Sequence, residues 1–250
     1  MAKKLAYSLG GILLVFLAWT ILYLLVSNDY VVSSPLKSIK EALLFFGKGY
    51  FYSALFSTLL RVFLSFVLSL VLAGVIAVIS YRYKTFSNVF GSVVAVLRSL
   101  PTLAILLIIL VAVNDRSVAP VIVCILTLFP LLFTAIFSSL KGVDRELIEM
   151  CKVYKVPKKK QILSLYIPSI LPSFCLDFSS ALSFALKLVI SAEILANVYK
   201  SIGGLMVEVN NYSETAMLFA LALIVCVIGV IIEFIGKFAF DKLEKKGYGN

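Results

Sequence analysis

Apolar runs of twenty or more residues recur along this chain, and each is long enough to cross the hydrocarbon core of a bilayer as a helix. Hydrophobic residues make up 62% of the sequence and mean hydropathy is +1.07, so a soluble fold is excluded and an all-α membrane protein is expected. Six transmembrane helices are predicted, at 6–26, 53–80, 88–113, 117–140, 171–196 and 214–236, within a single domain spanning 1–250. A chain of 250 residues with that many spans has no room for a catalytic domain of typical size. The first apolar run carries Trp19 and Tyr23 near its far end and lacks a small-residue cleavage site, so it is expected to stay as a helix.

The net charge of +10 could suggest nucleic acid, but the cations collect between the spans and no basic stripe alternates with exposed aromatics. The charge instead orients the chain. With both termini in the cytoplasm the inner segments hold 15 lysines and arginines and the outer ones 5, as the positive-inside rule asks. Residues 33–50 are expected to lie on the outer face, with Pro35 starting an amphipathic helix whose apolar positions are Ile39, Ala42, Leu43 and Phe46. Pro101, just after Arg98, should kink the third span or force an interfacial turn. Gly203 and Gly204 are read as a turn before the sixth span that uses positive φ and makes no substrate contact.

The segment from Lys141 to Pro172 is a charged island between two spans. Asp144 can cap a short helix, with Glu146 in its first turn and Leu147, Ile148, Cys151 and Tyr154 on one face. Pro157 restricts Val156 to an extended conformation, so this helix should end near Lys155. A second helix then runs through Gln161, Ile162 and Leu165 to Pro168. Such a pair can dock into a groove on a second protein, or simply lie on anionic lipid through Lys158, Lys159 and Lys160.

Here the sequence resembles a family. Glu149, Met150 and Cys151, then Lys155, then Leu165, Ile167 and Pro168 reproduce the spacing of the E-A-A…G…I-x-L-P loop of permease subunits of bacterial ABC importers. Met150 and Cys151 stand for the alanines, and Lys155 stands for the glycine. A non-glycine residue is strained at positive φ, so a turn built differently, set by Pro157, is expected. The stretches LRSLPTLAILLIIL (Leu97–Leu110) and SAEILANVYKSIGGLM (Ser191–Met206) are similar to segments of the nitrate, sulfonate and taurine importer group. The resemblance implies a six-helix type I importer permease fold with cytoplasmic coupling helices in loop 141–168, in a bacterial inner membrane. Its implied partners are a second permease copy, a cytoplasmic ABC ATPase subunit dimer gripping the loop and an extracytoplasmic substrate-binding protein, with the lipid bilayer as surroundings. The substrate implied is a small nutrient: a sulfonate, nitrate, taurine, a thiamine precursor or a flavin-like molecule.

No G-x-x-x-x-G-K-[ST] phosphate loop occurs, so ATP hydrolysis is expected in the partner. The chain has no histidine, and its cysteines, Cys124, Cys151, Cys175 and Cys226, lack metal-ligand spacing and read as small hydrophobes. No catalytic residue, metal or cofactor is therefore expected. Arg61, Arg98, Asp177, Lys187, Glu193 and Glu233 lie in or near spans, where charge is costly unless it faces water, a partner or the bundle interior. Asp177, Ser180, Ser183, Lys187 and Ser191 share an arc of about 120° on the fifth span. Ser180, Ser183, Lys187 and Ser191 are candidate pathway residues; alternatively the serines serve packing and Lys187 pairs with a carboxylate. Ser57, Arg61, Ser65 and Ser69 on the second span read as a packing stripe. A secondary transporter or channel subunit is the rival reading, and a membrane-embedded enzyme a more distant one.

Overall fold

The computed structural model describes residues 2–247 and, within them, the side chains other than those of 2–9, 12, 172–176, 239 and 243–247. Cys175 and the terminal lysines of the charge count, Lys3, Lys4, Lys245 and Lys246, therefore lie outside the described side chains. The described residues form helices joined by short connections, without a strand. In chain order the helices are α1 (Ala2–Val26), α2 (Pro35–Phe45), α3 (Gly49–Arg82), α4 (Lys84–Ser99), α5 (Thr102–Ala112), α6 (Ala119–Lys141), α7 (Arg145–Val153), α8 (Lys158–Gln161), α9 (Ile167–Ala196), α10 (Ile202–Asn211) and α11 (Thr215–Gly247).

Gly49–Arg82, Ala119–Lys141, Asp177–Ala196 and Thr215–Lys242 are each long and apolar enough to cross a membrane. The expected third span is broken rather than kinked: Leu100 is extended (φ −72°, ψ 130°) and α4 meets α5 at 91°. Pro101 causes this by barring helical backbone at the residue before it and then supplying the N-cap of α5. Counted as one span, the pair makes a fifth. Of the first expected span, the described apolar part is Leu13–Val26.

The chain divides into two compact units. The first comprises residues 1–57 and 197–228. As the sequence predicts, Pro35 opens α2, and Ser34 caps it by accepting from the Lys37 amide at 3.3 Å. Trp19 of α1 donates to the Ser33 carbonyl at 3.0 Å and stacks on Phe219 of α11, while Phe45 and Phe51 are fully buried against each other.

Gly203 and Gly204 do not form a turn. They lie in α10, and no described glycine has positive φ. Left-handed backbone falls instead on Asn197 and Lys200. Gly204 is needed for close approach, because a Cβ there would sit 2.1 Å from the Val198 carbonyl oxygen. Ser201 ties this corner down, donating to the Val198 carbonyl at 2.8 Å and accepting from the Gly204 amide at 2.9 Å.

The second unit comprises residues 58–196 and 229–250. Helix α6 lies at its centre, packed on α4, α5 and α9, and buries Val123, Cys124, Leu128, Phe129, Leu132 and Phe133. Its polar core is Glu193 of α9, which is completely buried. Arg61 of α3 donates to Glu193 at 3.0 Å through Nη1, and the Thr58 hydroxyl lies 2.9 and 3.0 Å from the two carboxylate oxygens. The other edge of the guanidinium holds Ser117, with Nε on its carbonyl at 3.2 Å and Nη2 on its hydroxyl at 2.8 Å. Arg61 thus does more than fill a packing stripe. Ser65 and Ser69 keep the expected packing role, buried with their hydroxyls bonded to the carbonyls one turn back.

Substitutions at Glu193, Gly204 and Gly91 test this packing. Glu193→Gln leaves a half-buried guanidinium without its counter-charge and should cost about 3 kcal/mol or more, with Arg61→Met/Glu193→Leu recovering much of the loss. Thermal unfolding of the protein in detergent measures both. Gly204→Ala should destabilise by about 2 kcal/mol or more through overpacking. Gly91→Ala, where a Cβ meets open space inside α4, should be neutral or stabilising by up to about 1 kcal/mol.

Candidate functional site

Between α6 and α9 the chain builds the helix, sharp turn and helix expected of the charged island. Asp144 caps α7, accepting from the Glu146 amide at 2.9 Å. The stop is built by Lys155, which has φ +49°, the left-handed conformation that glycine ordinarily supplies. The Val156 amide reaches back to the Cys151 carbonyl at 2.9 Å and the Lys155 amide to Lys152 at 3.1 Å. These are the paired bonds of a Schellman stop. The expectation of a differently built turn set by Pro157 is therefore corrected. The glycine-type turn is kept, at a local cost of about 1 kcal/mol for a side chain in that region. Pro157 follows it and caps α8.

Pro168, expected to end the second helix, does not end a helix. After α8 the residues Ile162–Tyr166 form a π-helical turn, in which the Ile167 amide bonds the Ile162 carbonyl five residues back. Pro168 then enters α9 without a break. A proline is tolerated there because the widened turn has already shifted the carbonyl pairing that its ring and missing N–H would disrupt.

The loop residues do not all share one surface. Glu149, Met150, Lys155, Ile167 and Pro168 are exposed, Leu165 is half-buried and Cys151 is buried. On α7 the inward positions are Ile148 and Cys151, whereas Leu147 and Tyr154 of the expected apolar face point outward. With Met150 and Val153 they leave α7 an exposed apolar stripe, Val153 and Tyr154 being 77% and 76% accessible. The buried side is anchored by Tyr166, whose ring meets that of Tyr81 at the end of α3, 6.2 Å between centroids. Burial, and then a hydrogen bond to Tyr81, push the Tyr166 phenol up to about 12, so this anchor keeps its proton at any physiological pH.

On α9 the polar stripe is narrower than its wheel suggests. Asp177, Ser180, Lys187 and Ser191 are exposed together, joined by Phe184. Ser183 leaves the set: it is 1% exposed, its Oγ lies 3.3 Å from where a Cβ on Gly229 of α11 would stand, and it has no hydrogen-bond partner among the described residues. Its position at the edge of the arc turns it into the packed side. Among the described residues Lys187 forms no ion pair, so the alternative of a carboxylate partner is not met. A small cavity of about 140 Å³ beside this face is lined by Arg98, Thr102, Thr127 and Phe184 at the α4–α5 break.

The first unit holds a larger cavity, of about 1060 Å³, between the start of α3, the 197–201 corner, α10 and the start of α11. Lys48, Lys200, Glu208 and Glu214 stand on its wall with three tyrosines. Nothing in the sequence announces it, because its residues come from two segments about 150 positions apart and the resemblance carried by Ser191–Met206 covers one of them alone.

Residues 66–245 match the family described as binding-protein-dependent transport system inner membrane component. A Bacillus subtilis protein named as an aliphatic sulfonates transport permease, SsuC, is 23% identical over 83% of this chain and 74% of its own length. A Methanocaldococcus jannaschii protein named as an ABC transporter permease is 22% identical over 92% of this chain and 88% of its own. Among solved structures, an inward-facing conformation of the MetNI methionine ABC transporter aligns with TM-score 0.63 at 17% identity, covering 78% of this chain and 96% of that one. An amino acid ABC transporter crystallised with histidines aligns with TM-score 0.62 at 16% identity, over 79% and 94%. The fold is that of the type I importer permeases, and the chain belongs to the family of inner-membrane components of binding-protein-dependent transport systems.

Proposed function

We propose that this permease is one half of a homodimer that carries a small nutrient with an acidic headgroup through a pathway lined by the exposed face of α9. Both termini and the α7–α8 loop lie in the cytoplasm, where an ATPase dimer grips the loop, and the chain itself hydrolyses nothing. A binding protein delivers substrate on the opposite side. The name of the Bacillus subtilis relative favours a sulfonate; nitrate, taurine, thiamine precursors and flavin-like molecules are the other candidates that the family resemblance implies.

One observation carries the reading. Helix α7 projects Leu147, Met150, Val153 and Tyr154 outward between charged neighbours, on an element too short to cross a bilayer and fixed at its end by the Lys155 turn. An apolar stripe on a short, rigidly stopped helix suits a groove on a partner. Glu149, Met150 and Lys155 make the contact on this side, with Ile167 and Pro168 beyond the second bend. Cys151 and Leu165 act behind it as packing that holds α7 to the body.

Continuity supplies the mechanism. From the π-helical turn the backbone runs on as one helix to Ala196, so a displacement imposed on α7 and α8 passes into α9 without a flexible joint. Lys187 stands midway along the apolar part of that helix, Asp177–Ala196. Its ammonium, which forms no ion pair among the described residues, offers an acidic substrate a favourable contact inside the span.

Met150→Glu should abolish co-purification of the ATPase with the permease while leaving the permease folded, as judged by an unchanged unfolding midpoint; retention of the ATPase would remove the docking role. Lys187→Met in the assembled transporter should lower uptake and substrate-stimulated ATP hydrolysis by about tenfold or more. Unchanged rates would remove Lys187 from the pathway.

A further inference from the structure

The cavity of the first unit carries four charged side chains, and its charge sums to zero: Lys48 and Lys200 against Glu208 and Glu214. Opposite charges in one hollow ordinarily pair. Here they do not, since the ion pairs among the described residues are Lys37–Asp29 and Arg61–Glu193. The lysines rest on aromatic rings instead. The Lys48 ammonium lies 5.0 Å from the centre of the Phe45 ring and 5.8 Å from that of Tyr50, and the Lys200 ammonium 5.5 Å from that of Tyr199. Cation–π contacts hold an ammonium in place without neutralising it.

The wall is also built from costly backbone. Five described non-glycine residues have positive φ; Asn197 and Lys200 line this cavity, and Ser213 sits between two residues that do, Tyr212 and Glu214. Ser213 ends α10 with the same stop that Lys155 gives α7, the Glu214 amide bonding the Val209 carbonyl at 2.9 Å and the Ser213 amide the Asn210 carbonyl at 3.0 Å. This fixes where the Glu214 side chain leaves the backbone. Each such residue costs about 1 kcal/mol or more, and strain of this kind concentrates where side chains must be aimed.

We infer that this cavity binds a small zwitterion, a molecule with an ammonium at one end and a sulfonate or carboxylate at the other. A simple anion gains from the lysines what it loses to the carboxylates, and a simple cation the reverse. Only a ligand carrying both charges satisfies both pairs. The tyrosines give its short carbon chain apolar surface. At about 1060 Å³ the hollow has room for such a molecule with its water. Binding here goes beyond the transport reading and does not depend on ATPase or pathway. If the molecule bound is also the one carried, the substrate narrows to the zwitterions of the class.

The test is direct binding to the full-length chain in lipid nanodiscs, by calorimetry or ligand-observed NMR at low ionic strength, with three two-carbon probes: 2-aminoethanesulfonate, ethanesulfonate and ethylammonium. The zwitterion should bind about tenfold more tightly than either single-charge probe. Lys48→Gln, Lys200→Gln, Glu208→Gln and Glu214→Gln should each weaken it about three- to tenfold. Lys200→Arg and Glu214→Asp, which keep the charges, should bind as the parent does. Equal binding of ethanesulfonate, absence of saturable zwitterion binding, indifference to the four neutralisations, or equal loss in the charge-keeping variants would each overturn the proposal. None of these outcomes bears on ATPase co-purification or Lys187, so the two readings fail separately.

Discussion

A carboxylate with no access to water, Glu193, sets the terms for the second unit. Ionised and isolated, it would be untenable in an apolar interior, so Arg61 and Thr58 of α3 must come to it. Arg61 in turn needs acceptors for its remaining N–H groups, and Ser117 provides two, one from its backbone. Ser117 is itself positioned by Asp115, which accepts its amide at 2.8 Å. One buried charge therefore fixes the register of α3 against α9 and locates the turn that starts α6. Hydrophobic packing alone would not specify this, because an apolar stripe can slide by a turn at little cost and a guanidinium fork cannot.

The connection between α6 and α9 shows how two departures from a familiar pattern leave its geometry intact. Lys155 occupies a position that suits glycine, yet the backbone takes the left-handed stop, because the two carbonyl bonds it closes and the burial of Cys151 outweigh about 1 kcal/mol of strain. Pro168 ought to end a helix. Widening the preceding turn by one residue lets the helix continue into α9 without a break.

Much of this was legible in the residues. Long apolar runs marked the spans, Pro35 and Asp144 marked helix starts, and the spacing from Glu149 to Pro168 marked the loop. What escaped depended on contacts far apart in the chain. Nothing in the order of residues says that position 61 meets position 193, or that Lys48 and Glu214 share a cavity. Helix α10 was missed for another reason. Its glycine pair outweighed a helical signal that was present, Ser201 at the cap and Ile202, Met206 and Val209 at helical spacing on the buried side. Gly204 was read through its conformational freedom when its role is its lack of a side chain.

The ionisable residues of the spans separate into two groups. Arg61 and Glu193 satisfy each other inside the second unit, whereas Arg98, Asp177, Lys187 and Glu233 lie on exposed faces. Glu233 is near a helix end and can reach the interface. Lys187 cannot do so as easily from the middle of the apolar stretch Asp177–Ala196, and facing hydrocarbon would cost it about 3 kcal/mol. Burying it within the chain was open to evolution, as Glu193 demonstrates. That it stays outward, alongside Ser180, Ser191 and Asp177, favours a surface that meets water or another protein rather than lipid. In the proposed homodimer a second copy facing the first across an aqueous path would meet that requirement with no further component, since each α9 would supply the same polar stripe to a shared interior.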